Sequence, residues 1–122
     1  MDSDEISWGR ILMGYVPDQG DIVSLDFDPS SGKEIMKRRP AFVISRKIFN
    51  AHTGMAIVAP IASTIKGVRL EVVLPTGMLT IGSVLAYQLK SLDFRHCHVK
   101  FIENAPLETI RQVVSLVQVI IR

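Results

Sequence analysis

The chain has 122 residues, a single cysteine, and 14 lysines and arginines against 12 acids, for a net charge of +2. That length supports one domain with one core, and no run approaches the ~18 apolar residues of a membrane span. The start is acidic (Asp2, Asp4, Glu5) where a secretory leader would be basic, and Cys97 has no second cysteine to pair with, so we expect a cytoplasmic protein without disulfides. Charge is segregated along the chain: residues 1–34 hold two bases against eight acids (net −6), and the remainder holds twelve against four (net +8). A basic surface built from Lys37, Arg38, Arg39, Lys66, Arg69, Lys90 and Arg95 would attract RNA or an acidic protein segment.

In chain order, Ile22, Val23, Leu25 and Phe27 form a first run of strand formers, which the turn residues Asp28-Pro29-Ser30-Ser31-Gly32 interrupt. Pro40 biases Arg39 away from helical dihedrals, and the apolar run Ala41–Ile44 reads as a buried second strand. Arg39 then stands at a strand entrance. Its planar fork suits the two oxygens of a phosphate diester; the alternative is a solvated charge run with Lys37 and Arg38. Ser45–Thr53 reads as a connector or short helix closed by Gly54. Met55–Ile61 is a third apolar run, stopped by Ala62-Ser63-Thr64, with a turn at Lys66-Gly67.

Glu71–Leu74 and Val84–Leu89 continue the strand pattern. Phe94–Phe101 alternates, with His96, His98 and Lys100 on one face and Cys97, Val99 and Phe101 on the other, which predicts a half-buried strand. The alternation sends Cys97 away from both histidines, so we expect no metal there. At the carboxyl end Leu107, Ile110, Val114, Val117 and Ile121 recur at steps of three and four behind Pro106, with Glu108 in the first turn: an amphipathic helix. Strands followed by one packing helix make an α+β, barrel-like domain.

The frame Gly20-Asp21, then Asp26-Phe27-x-Pro29-x-x-Gly32-x-Glu34, then Arg39-Pro40, resembles the MazF/PemK (Kid) toxins of bacterial type II toxin–antitoxin systems. Phe49-Asn50, Thr53-Gly54, Pro60, Lys66-Gly67, Glu71-Val72-Val73-Leu74 and Gln88-x-Lys90-Ser91-Leu92-Asp93-x-Arg95 extend the resemblance. It runs from Tyr15 onward, dividing the chain into an amino-terminal extension, 1–14, and a toxin domain, 15–122. It implies a small SH3-like twisted antiparallel β-barrel with a carboxyl-terminal helix (CcdB/PemK-like), assembled as a homodimer. The implied activity is that of an mRNA interferase: cofactor- and metal-independent, sequence-selective cleavage of single-stranded RNA by attack of the ribose 2′-hydroxyl. The implied partner is an antitoxin with an acidic disordered tail, which the toxin joins on operator DNA.

Carried over residue by residue, the resemblance makes Arg39 the catalytic arginine, stabilising the phosphate and protonating the leaving oxygen. Glu34 becomes the proton acceptor or an orienting group, with a salt bridge to Lys37 or Arg38 as its other reading. Phe27, Lys33, Lys37, Arg38, Lys66, Tyr87, Gln88 and Lys90 are expected to line the RNA path, Tyr87 stacking on a base or else serving as an ordinary strand tyrosine. Four positions depart from the family pattern. Ala62 stands where a threonine is usual, leaving Ser63 to supply the hydroxyl if the strand bends. Tyr87 stands in place of an aspartate, Lys33 of a histidine and Leu85 of an arginine. The first two motivate a second reading, a catalytically weakened homologue that binds antitoxin and tunes its operon. Gyrase poisoning, as in the related CcdB toxins, fits poorly because the chain ends Ile120-Ile121-Arg122 and not Trp-Gly-Ile.

Overall fold

Apolar runs at the centre of the chain become the strands that carry it. The computed structural model describes residues 14–26, 38–64, 67 and 69–122. Within them lie β1 (Asp21–Leu25), β2 (Arg39–Val43), α1 (Lys47–Thr53), β3 (Met55–Ala62), β4 (Glu71–Val73), β5 (Ser83–Leu85), β6 (Lys90–Asp93), β7 (Lys100–Asn104) and α2 (Leu107–Ile121). The sheet runs β4-β5-β3-β2-β1-β7, with β6 also paired to β3, and every pairing is antiparallel. The long β3 carries β2 on one edge and divides the other: Met55–Val58 pair with β6, and Ile61 and Ala62 with β5.

Side chains of β1, β2 and β3 alternate between two apolar clusters, as the period of two requires. Ile22, Phe42, Ala59 and Ile61 pack with Val72, Leu74 and Val84 and with Val113 and Val117 of α2. Val23, Leu25, Ala41, Val43, Ala56 and Val58 pack on the opposite side with Leu92, Phe94 and Cys97. Strands covered on both faces need apolar residues at every position, which explains the unbroken run in β2. Complete burial of Phe42 alone removes enough surface from water to stabilise the fold by roughly 1.5–3 kcal/mol.

Three expectations shift in the tertiary structure. In α2 the buried residues are Thr109, Val113 and Val117, flanked by Ile110 and Leu116. Leu107 and Ile121, expected on the core face, are 61% and 68% exposed, because they occupy the first and last helical positions and overhang the sheet. The expected strand Val84–Leu89 ends at Leu85, where a turn closed by the Gln88 N–H on the Leu85 carbonyl (3.0 Å) leads to β6. The expected strand Phe94–Phe101 is a turn as far as His98, and β7 begins at Lys100.

Asp93 organises that turn, accepting the Arg95 N–H at 3.0 Å and bonding His96 Nδ1 at 2.8 Å. Partial burial raises the Asp93 carboxyl, but the His96 and Arg95 bonds and charges outweigh it, and the group titrates below its ordinary value. His98 takes a left-handed φ of 53°, and Cys97 is buried while His96 is exposed. Burial pushes the Cys97 thiol up, away from the thiolate form that metal binding or nucleophilic attack would need.

Buried polar residues join the loops to this sheet. Asn50 is the buried residue of α1. Its Nδ2 donates to the carbonyls of Pro17 (2.8 Å) and Ser45 (3.2 Å), and its Oδ1 accepts from Ser45 Oγ (2.6 Å). That hydroxyl in turn accepts the Ile57 N–H at 2.8 Å. Asp21 accepts from the Tyr15 hydroxyl, the Asp18 N–H (3.0 Å) and Asn104 Nδ2 (2.8 Å), tying the entry of β1 to the end of β7. Burial and the Asp21 carboxylate together push the Tyr15 phenol far above its ordinary range. Glu103 on β7 holds the β4–β5 loop, its carboxylate accepting the N–H groups of Leu79 (3.1 Å) and Thr80 (2.8 Å).

Replacing Asn50 with alanine leaves two buried carbonyls without their donor. We expect Asn50→Ala to cost about 2–4 kcal/mol, read as a lower denaturation midpoint at unchanged slope and fixed protein concentration; a loss within error would show that water replaces the side chain. Glu103 tests the loop anchor through pH. Partial burial raises its carboxyl, but the bonds from the Thr80 side chain and the Leu79 and Thr80 N–H groups outweigh that and hold it below the ordinary 4.5. A carboxyl depressed in the folded state stabilises above its unfolded pKa and loses that contribution as pH falls through the folded one. The stability gap between wild type and Glu103→Gln should therefore narrow between pH 7 and pH 3, and an equal gap at both would refute the anchor.

Candidate functional site

The register of the central strands brings one end of β2 and one end of β3 together. Ala41 pairs with Pro60, and continuing that register sets Arg39 across from Ala62, which pairs on its other side with Ser83. Arg39 also pairs with Leu25 of β1, while its own side chain stays exposed. Pro40 keeps it extended at the strand entrance, as the sequence predicts. Around it lies an open groove of about 460 Å³, bordered by Arg38–Pro40, by Ile61–Thr64 at the end of β3, and by Ile81 from the loop before β5.

The two arginines at the groove have different surroundings. Arg38 Nε donates to Ser24 Oγ at 3.0 Å, and its Nη2 donates to the carbonyls of Ser24 (2.7 Å) and His98 (2.5 Å). It is a clamp between β1 and the left-handed turn at His98, which leaves few of its donors for a ligand. The Arg39 side chain makes no hydrogen bond or ion pair with another described residue. Its side chain is exposed and borders the groove.

Ser63 reaches the same groove because the chain bends directly after Ala62, where β3 ends. The bend also brings Thr64, whose hydroxyl the sequence reading passed over as part of a strand stop. Gly82 makes the close approach possible: at φ +136° a Cβ there would stand 2.0 Å from the Ala62 carbonyl oxygen. Beside it Ser83 is fully buried, and its hydroxyl donates to Glu71 Oε2 at 2.5 Å. Glu71 also accepts the Gly67 N–H at 2.7 Å, so this carboxylate holds the β3–β4 connection against β5.

Not every expected residue converges here. Tyr87 and Gln88 on the β5–β6 connection and Lys90 at the start of β6 are exposed and do not border the groove. Phe27, Lys33, Glu34, Lys37 and Lys66 lie outside the described residues. Several frame residues serve the fold: Asp21 and Asn50 by their bonds, and Gly54 by closing α1 at φ 75° with the Arg95 guanidinium lying against it. Ile81 was not anticipated; its signal was an apolar residue stranded among the turn residues of Pro75–Gly82. Among the described residues no group of three His, Cys, Asp or Glu is placed to hold a metal ion, and no helix is long and apolar enough to cross a membrane.

Arg39, in one groove with Ser63 and Thr64, has the chemistry to hold a phosphate diester by its non-bridging oxygens. Comparison with known proteins points the same way. The endoribonuclease toxin MazF of Escherichia coli (strain K12) is 44% identical over 81 residues, 66% of this chain and 72% of that protein. The crystal structure of MazF (Form-I) from Deinococcus radiodurans superposes with a TM-score of 0.78 at 36% identity, covering 88% of this chain and 97% of that one. A MazE-MazF structure (Form-III) from the same organism gives 0.79 at 36% identity, covering 87% and 96%. Over residues 18–121 the chain matches the model of the PemK-like, MazF-like toxins of type II toxin–antitoxin systems, and it belongs to that family.

Proposed function

We propose that this chain is a metal-independent endoribonuclease toxin that cuts single-stranded RNA at selected short sequences, and that an antitoxin neutralises it. The observation that carries the reading is Arg39, unpaired among the described residues, in one groove with Ser63 and Thr64. In the proposed step the 2′-oxygen bonds to the adjacent phosphorus and the bond from phosphorus to the 5′-oxygen breaks. The products are a 2′,3′-cyclic phosphate and a free 5′-hydroxyl. The 2′-hydroxyl proton passes to a base, for which Glu34 is the candidate, and the departing 5′-oxygen takes a proton from Arg39, which recovers one from the protonated base through solvent. Arg39 also meets the charge that develops on one non-bridging oxygen, and the hydroxyls of Ser63 and Thr64 donate to the other. These hydroxyls would do what Ala62 lacks the atoms to do.

The antitoxin reading is supported by the structural likeness to MazF bound to MazE, together with the excess of bases after residue 34. A disordered acidic tail ordering over the groove would block Arg39 from RNA. For assembly we propose a homodimer. Val119, Ile120 and Ile121 at the end of α2 are 68%, 38% and 68% exposed, an apolar helix end that association would cover. Toxin and antitoxin would meet in the cytoplasm, where the RNA is.

Long single-stranded RNA incubated with the protein in EDTA, with both ends mapped by sequencing, tests the chemistry. Cleavage at a recurring short sequence is expected. Arg39→Ala should lower its rate by about 100-fold or more, with Arg39→Lys only partly restoring it for want of the fork. Ser63→Ala and Thr64→Ala identify the working hydroxyl by the larger loss. A folded protein that binds antitoxin yet leaves RNA intact would favour the weakened homologue. Sedimentation tests the dimer: Ile121→Glu should move the protein toward the monomer while its circular dichroism is retained, and an unmoved boundary would remove this helix end from the interface.

A further inference from the structure

The loop between β4 and β5 ends in an apolar tip that the core does not use. Leu79 and Ile81 are 78% and 79% exposed, and Ile81 borders the groove that holds Arg39. A ligand that covers such a side chain gains the free energy of removing its apolar surface from water. Ile81 is also held in place. The preceding residue, Thr80, is buried, and its N–H is bound by Glu103 at 2.8 Å; the following residue, Gly82, is packed against the Ala62 carbonyl. Glu103 is itself anchored in β7 by pairing with Ile22. An apolar side chain carried on anchored backbone at the wall of a groove is a partly preorganised contact.

Resting on the ribonuclease reading above, we propose that Ile81 is a specificity-determining residue: a shelf on which one unstacked base beside the Arg39-bound phosphate rests. A nucleotide offers both chemistries side by side, an anionic diester for the guanidinium and an apolar base face for the isoleucine. Arg39 and Ile81 share a groove in that same combination. An apolar shelf of this size selects by shape and surface, so it favours one kind of base by a modest factor and leaves the cleavage step to Arg39. Leu79 is equally exposed but does not border the groove, which makes it the matched control.

The test compares wild type, Ile81→Ser, Leu79→Ser and Arg39→Ala in two assays. In the first, a randomised single-stranded RNA is cut in EDTA and the ends are sequenced. In the second, fluorescent 2′-O-methyl hexamers of each base, and their abasic counterpart, are bound and read by anisotropy. Ile81→Ser should relax base preference at one position next to the cut by about tenfold and bring the affinity for its preferred hexamer toward that for the abasic one. Leu79→Ser should change neither. Unaltered preference and an unaltered ratio of intact to abasic affinity in Ile81→Ser would overturn the shelf. So would a loss confined to antitoxin binding, which would assign the tip to the protein partner. If wild type cuts no RNA the ribonuclease reading fails by itself, and the affinity ratio still decides whether Ile81 holds a base. Because both side chains are solvent-facing, neither serine variant should change the thermal midpoint.

Discussion

The register between β2 and β3 is the constraint on which the groove depends. Alternation leaves no freedom in it: moving β2 by one residue would take Phe42 out of the cluster beneath α2 and place it among Val23, Leu25 and Val58. Both clusters are closely filled, so such a slip costs several buried side chains at once. The same alternation sets Arg39 across from Ala62 and beside Leu25, at the point where the paired region ends and solvent begins. Position and exposure of the guanidinium thus follow from how the core packs two residues further along the strand.

Around that constraint the polar residues divide into those that hold backbone and those left open. Arg38, Asp21, Asn50, Glu71 and Glu103 have their hydrogen-bonding capacity directed at N–H groups, carbonyls or neighbouring side chains. Each ties one connection to the sheet, so that loops of a small domain stay where a site needs them. Arg39, Ser63 and Thr64 are exposed instead. The adjacent arginines show the division most plainly, since a single step along the chain separates a clamp on the His98 turn from a cation facing the groove.

At the end of β3 the chain bends where a straight strand would have continued. Ala62 has no hydroxyl, and on a straight strand Ser63 would face away from Arg39. The chain bends there, and Gly82 lets the β5 side approach the Ala62 carbonyl closely enough to keep the sheet paired up to that point. Two hydroxyls then stand where one residue of a regular strand would have stood.

Much of the fold was legible in the sequence because its signals are local. Unbroken apolar runs at Ala41–Ile44 and Met55–Ile61, the closing Gly54, the steps of three and four after Pro106, and Arg39 ahead of Pro40 each follow from covalent geometry and side-chain period. So did the family frame, which is a matter of residue order alone. Tertiary structure decided the rest. The Asp93 cap turned an alternating stretch into a turn through His98, and the sheet beneath α2 chose Thr109, Val113 and Val117 over the more hydrophobic Leu107 and Ile121. The convergence of Arg39, Thr64 and Ile81, and the diversion of Arg38 to carbonyls, depend on segments distant in the chain being brought side by side. No period encodes that, because cross-strand register and loop anchoring exist only once the sheet has formed.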